Sequence, residues 1–159
     1  HFIEPIDKTT IVEVVKGVKS TKEAHEKVMR FCQLIRKKGV CVNESPGNIS
    51  TRMLIPIINE ACEILLEGIA TIDDIDLTMR ETFGHNIGPF EMADKIGLDK
   101  ILKYMENLYA EYGESKYKAS PVIKRLVRAN HFGRYSGNGF YNYDNDKPVS
   151  NNLTHALVR

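Results

Sequence analysis

The spacing of apolar positions divides the chain in two. Residues 9–16 (Thr9-Thr10-Ile11-Val12-Glu13-Val14-Val15-Lys16) form a short, β-branched, nearly continuous apolar run closed by Gly17. That is the pattern of a strand covered on both faces, as in a parallel sheet. Ser20 and Thr21 stand as caps ahead of Ala24, Val28, Phe31, Cys32 and Ile35, which recur at helical spacing. Lys37 and Lys38 suit the negative end of that helix, and Gly39 is expected to stop it. Val40-Cys41-Val42 then reads as a second strand. Strand, helix and strand within about 35 residues make one βαβ unit. One such unit cannot cover both faces of its own sheet. Residues 1–44 are therefore expected to be the C-terminal end of an α/β domain whose beginning lies outside this sequence.

Glu44-Ser45-Pro46-Gly47 breaks the pattern, and the period turns helical up to about residue 130. A long helix is predicted over about 49–67, ended by Gly68 and kinked by Pro56, which removes a backbone donor. Thr71 with Asp74 three residues on gives a capping-box-like start to a helix reaching about residue 83, before Gly84. Gly88-Pro89 opens a short helix with proline at its first position, closed by Gly97. Residues 99–112 are amphipathic, with Ile101, Leu102, Met105, Leu108 and Tyr109 on one face, and end at Gly113. Ser120-Pro121 begins the last helix, to about residue 129. Ser136-Gly137-Asn138-Gly139 signals a tight turn, and Phe140, Tyr141 and Tyr143 are expected to pack the tail onto the helices. The fold class is thus mostly α, a βαβ remnant followed by an all-helical domain over 45–145. A polar tail over 146–159 is expected to be loose.

Composition narrows the function classes. Twenty-two Lys+Arg stand against 21 Asp+Glu, a net charge of +1, which argues against a nucleic-acid binder working through a basic face. At 42% hydrophobic and 27% charged, the chain has the balance of an ordinary globular protein. Cys32, Cys41 and Cys62 are odd in number and hold no C-x-x-C pair, so neither a disulfide framework nor a structural zinc site is expected. A reducing, cytoplasmic location fits. No apolar run approaches a membrane span. The chain begins His1-Phe2, with no Met and no signal peptide, and is expected to be a piece of a longer protein.

Glu13 is the most informative residue. It sits between Val12 and Val14 in the first strand. A buried, unpaired carboxylate is costly or takes up a proton, so either the strand is an edge and Glu13 faces water, or a partner meets it. A histidine is the partner with chemical consequences: a carboxylate on one ring nitrogen fixes the tautomer and raises the basicity of the other. His25 and His155 are expected in solvent, and His85 and His131 at helix ends. No histidine pair has metal-site spacing, and His1 is ambiguous from the residues alone. Asp73, Asp74 and Asp76 read as first-turn acids of a helix rather than a calcium loop.

Several segments taken together resemble the NAD-dependent 3-hydroxyacyl-CoA dehydrogenases. They are His1-Phe2-Ile3-Glu4-Pro5, Ile11-Val12-Glu13-Val14, Glu44-Ser45-Pro46-Gly47 through Arg52, Asn59-Glu60-Ala61 and Asp74-Ile75-Asp76. Gly88-Pro89-Phe90, Asp94, Gly97-Leu98-Asp99, Ser120-Pro121, Gly133-Arg134 and Gly137-Asn138-Gly139-Phe140-Tyr141 continue the series. The resemblance runs in register from residue 1 to about 143. It implies the end of a Rossmann-type NAD-binding domain and a whole helical domain that meets substrate and joins two subunits. It also implies His1 as the catalytic base, taking the 3-hydroxyl proton while hydride passes to the nicotinamide, and Glu13 as its acidic partner. Thr51 falls where the family's asparagine places substrate and histidine. Glu4 and Tyr135 fall at cofactor-side positions, and Pro89 and Phe90 at the substrate pocket.

Three of these positions depart from the family: Glu4 stands for asparagine, Thr51 for asparagine and Tyr135 for lysine. An anion at 4 disfavours phosphate-bearing ligands nearby, threonine at 51 offers one hydroxyl instead of an amide fork, and Tyr135 removes a cation. Together they imply weak activity, an altered substrate, or none. No G-x-G-x-x-G loop occurs in the sequence, so the isolated chain is expected to be inactive, with NAD held by the parent protein. The expected function is therefore a fragment of an oxidoreductase interconverting 3-hydroxyacyl-CoA and 3-oxoacyl-CoA in fatty-acid or butanoate metabolism. Its partners would be an acyl-CoA substrate and a second copy meeting it through the helices from Ile49 and Asp99. The alternatives are a non-catalytic dimerisation or acyl-CoA-binding module, and a related hydroxy-acid dehydrogenase that does not use CoA.

Overall fold

A computed structural model describes residues 1–3, 5–145, 147–150 and 157, and divides the chain into two compact units, His1–Asn48 and Ile49–Arg159. In the first unit, β1 (Ile11–Lys16) and β2 (Lys38–Asn43) pair in parallel, in register from Ile11 opposite Lys38 to Lys16 opposite Asn43. α1 (Lys22–Leu34) connects them, capped by the Thr21 hydroxyl, which accepts from the Ala24 N–H. The pleat sends Val12 and Val14 toward Cys32 and Met29 of α1 and Glu13 to the opposite face.

The helix stops earlier than its composition predicts. It ends at Leu34, Arg36 takes the left-handed conformation at φ +57°, and Gly39 lies inside β2 rather than at a helix end. A Cβ on Gly39 would stand 2.7 Å from Met29 Sδ, so the glycine lets α1 lie close on the sheet. Lys37 does not neutralise the helix terminus: its ammonium donates to the Ile6 and Thr9 carbonyls, at 2.6 Å each.

The second unit is built from α2 (Ile49–Leu66), α3 (Ile72–Phe83), α4 (Pro89–Ile96), α5 (Leu98–Tyr112) and α6 (Pro121–Arg128), with 3-10 turns at Ser115–Tyr117 and Arg134–Ser136. α2 continues through Pro56 as one helix. Its core joins Ile55, Ile58, Cys62 and Leu65 of α2 to Phe90, Ile101, Met105, Ile123 and Phe140. The apolar face of α5 is thereby spent inside the unit. What α2 and α5 leave outward is Ile49, Met53, Tyr104 and Tyr109.

The chain after α6 is more ordered than expected. Asn142–Asp144 (β3) pairs antiparallel with Lys147–Val149 (β4). The remainder of the expected loose tail, 151–156 and 158–159, lies outside the described residues, as does His155. Two buried carboxylates receive the segment before β3. Asp94, 0% exposed, accepts from the Phe140 N–H and the Tyr141 N–H, both at 2.9 Å, and from the Tyr143 hydroxyl at 3.0 Å. Asp76 accepts from the Phe90 and Glu91 N–H groups at 2.8 and 2.9 Å and from the Tyr141 hydroxyl at 3.1 Å. Asp76 is thus more than a first-turn acid.

Burial outweighs these hydrogen bonds at Asp94 and raises its carboxyl from 3.8 to about 6. Between those values the folded chain holds a proton that the unfolded chain has released. This contribution to stability is full below pH 3.8 and is lost as pH rises through about 6. Denaturant midpoints measured from pH 4 to 7 should fall more steeply in the wild type than in Asp94→Asn. Parallel curves would show that Asp94 carries no such linkage.

Candidate active site

The site begins with a backbone ladder. The His1 nitrogen donates to the Glu13 carbonyl at 2.7 Å and the Glu13 N–H donates back to the His1 carbonyl at 3.0 Å. Phe2 bridges Val12 in the same antiparallel sense. Residues facing each other in such a pair project to the same side of the sheet, which sets the imidazole of His1 beside the carboxylate of Glu13. Glu13 is 3% exposed, so the edge-strand reading fails. His1 Nδ1 lies 3.6 Å from Glu13 Oε2, and the His1 side chain is 42% exposed. That distance is too long for a formed hydrogen bond, and the two groups attract as an ion pair only when the ring is protonated. The ring is oriented from within, and its partial exposure leaves it reachable by an arriving ligand.

One contact was not foreseen. Asn48 Nδ2 lies 3.1 Å from His1 Nε2. Only its place, immediately after Ser45-Pro46-Gly47 and before α2, marked it in the sequence.

The other expected site residues are placed as follows. Thr51 is in the first turn of α2. Arg52 donates to the Tyr117 hydroxyl at 3.4 Å and lies 4.6 Å over the Tyr112 ring. Tyr135 stacks on Phe132 with ring centroids 6.0 Å apart, and burial together with the nearby Asp99 carboxylate raises its hydroxyl above the usual range. Glu4 lies outside the described residues. Pro89 and Phe90, expected at the substrate pocket, lie buried in the helical unit. Phe90, at 0% exposure, packs on Phe140 with centroids 4.3 Å apart and gives its N–H to Asp76. Asn59 likewise has a structural role, tying α2 to the Lys116 and Lys118 carbonyls at 2.9 Å each. His25 and His131, expected in solvent and at a helix end, each have a buried Nδ1.

A parallel βαβ segment bearing an acid–imidazole pair, followed by a separate helical unit, defines the class: the end of a Rossmann-type dinucleotide fold with a helical C-terminal domain. Residues 1–45 match the family model for the 3-hydroxyacyl-CoA dehydrogenase NAD binding domain, and residues 47–143 match the model for the C-terminal domain of the same enzymes. The chain belongs to the 3-hydroxyacyl-CoA dehydrogenase family.

It is 41% identical over 144 residues to the 3-hydroxybutyryl-CoA dehydrogenase of Clostridioides difficile, covering 91% of this chain and 51% of that protein. Against the human mitochondrial hydroxyacyl-coenzyme A dehydrogenase the identity is 33%, over 90% of this chain and 46% of the relative. The crystal structure of (S)-3-hydroxybutyryl-CoA dehydrogenase from Ralstonia eutropha superposes with a TM-score of 0.86 at 37% identity, over 91% of this chain and 51% of that one. The chain therefore spans about half the length of the relatives it matches. No helix among the described residues is long and apolar enough to cross a membrane.

Proposed function

We propose that this chain is the C-terminal half of an NAD-dependent oxidoreductase that interconverts 3-hydroxyacyl-CoA and 3-oxoacyl-CoA, with His1 as general base and Glu13 as its orienting acid. The observation that carries this reading is the His1 imidazole beside a buried Glu13, at the 3.6 Å separation given above, in a chain of this family. In the oxidising direction the substrate 3-hydroxyl gives its proton to His1 Nε2 while the C3–H pair leaves as hydride and the C–O bond gains its second order. The buried anion on the Nδ1 side stabilises the imidazolium that forms.

The residues of this chain do not fit the cradle of a dinucleotide, since no G-x-G-x-x-G turn is present. NAD, the hydride acceptor, is assigned to residues outside this chain in the full-length protein. Thr51 belongs to the proposal as the group meeting the substrate carbonyl, with Glu4 and Tyr135 on the cofactor side. Self-association belongs to it too. Sedimentation of the full-length protein at micromolar concentration should give a dimer, and a clean monomer would remove that part.

The test is turnover by the full-length protein of acetoacetyl-CoA with NADH, set against acetoacetate with NADH. Remote binding energy from the CoA moiety should make the thioester the far better substrate in kcat/KM. Equal specificity constants would instead identify a hydroxy-acid dehydrogenase that does not use CoA. No turnover of either would leave a binding or dimerisation module.

A further inference from the structure

Asn48 meets His1 on the nitrogen that Glu13 leaves open. Its Nδ2 is 3.1 Å from Nε2, while Nδ1 faces the Glu13 carboxylate. The inventory of donors and acceptors settles the roles. An ionised carboxylate only accepts, so in the neutral ring the nitrogen facing it carries the proton. Nε2 then holds the lone pair, and only the N–H side of an amide can meet it. The amide orientation and the ring tautomer, each an assignment when taken alone, determine one another here. Asn48 is half-buried and directly precedes α2, which anchors the side chain at the start of a helix.

We propose that Asn48 is a positioning residue for the base: its amide holds the His1 ring in the Nδ1–H tautomer with the lone pair on Nε2. This rests on the reading of His1 as general base. Donation to the lone pair stabilises the neutral ring and offers nothing to the imidazolium. The opposing influence on the ring is the charge of Glu13, on β1, which favours protonation. The substrate hydroxyl donates to the same lone pair, so the Asn48 N–H yields its place when the hydroxyl arrives. The effect of Asn48 therefore falls on the free enzyme and shows in kcat/KM rather than in kcat.

Two readouts test this in the full-length protein. With histidine labelled in its ring nitrogens, NMR of the wild type should show a protonated Nδ1 and an unprotonated Nε2 for His1. Asn48→Ala should mix the tautomers and raise the imidazole pKa by about half to one unit. Asn48→Asp is close in shape and places an acceptor against Nε2. It should raise the pKa by about one to two units. In steady-state kinetics of 3-hydroxyacyl-CoA oxidation the acid limb of kcat/KM should move up by the same amounts, and in acetoacetyl-CoA reduction with NADH, where the ring acts as the acid, the alkaline limb should do so, while the limbs of kcat stay within about 0.3 unit. An unchanged tautomer and pKa in both variants would overturn the assignment of Asn48, whatever the activity. Absence of turnover in the wild type would instead overturn the role of His1 as base, and the NMR result would still decide whether Asn48 sets the tautomer.

Discussion

His1→Ala in the full-length protein is expected to lower kcat for 3-hydroxyacyl-CoA oxidation by about 100- to 10,000-fold, the usual contribution of a positioned general base. The substrate KM should change little, because the ring meets the hydroxyl proton and not the bulk of the thioester. The expectation follows from the ladder between His1 and Glu13. It holds the imidazole against an anion that is almost wholly removed from water, so the positive charge acquired on proton transfer is met at once.

Glu13→Gln should act on the same step by a different route. It keeps the shape and removes the charge, so protonating the ring becomes harder and the acid limb of the pH–rate profile moves to lower pH. The rate plateau falls as well, because the imidazolium formed during turnover loses its stabilising neighbour. Steady-state kinetics across pH 5–9 reads both effects. A loss of less than about tenfold in His1→Ala would be too small for a general base and would remove His1 from that role.

Gly133→Ala is expected to cost the helical unit roughly 2–5 kcal/mol, the sum of left-handed strain and forced overpacking. Gly133 sits at φ +105°, and a Cβ there would lie 2.3 Å from the Asp94 carbonyl oxygen and 2.7 Å from its Cα. Those are backbone atoms of α4, so the helix itself must give way. Gly113 provides the comparison. It also has positive φ, at +66°, but a Cβ would meet nothing within 4 Å, so alanine there should cost only the strain, about 1–2 kcal/mol. Denaturant unfolding of the two variants separates the terms. Equal losses would show that the chain after α6 is not seated against α4.

The element plan was largely readable because local signals were sufficient for it. Thr71 caps α3 by accepting from the Asp74 N–H, Gly84 and Gly113 end α3 and α5 in the left-handed conformation, and Pro89 and Pro121 stand in first turns. Gly39 misled because a glycine after a helical run reads alike whether it stops the helix or lets the helix pack closely on a strand. The burial of Glu13 was one of two open readings, and its neighbour His1 is distant in sequence but adjacent across a ladder. Asn48 was missed because a lone asparagine at the start of a helix carries no sign of what its side chain touches. Asp76, Asp94, Phe90 and Gly133 stood out as family positions, yet their reasons lie in partners dozens of residues away. Tyr141 reaches Asp76, and Phe140, Tyr141 and Tyr143 reach Asp94, across separations that no local pattern encodes.

The latching of residues 140–143 onto Asp76 and Asp94 also bears on how the unit is made. During synthesis α3 and α4 leave the ribosome well before Tyr141 and Tyr143 do, and until then Asp94 lacks the Phe140, Tyr141 and Tyr143 donors that make its burial tolerable, while Asp76 has its α4 N–H donors but not the Tyr141 hydroxyl. The helices are therefore expected to remain loosely associated through most of translation and to close in one late step as the final aromatic residues emerge. A nascent chain arrested short of Phe140 should accordingly be digested by protease far faster than one arrested beyond Asp144.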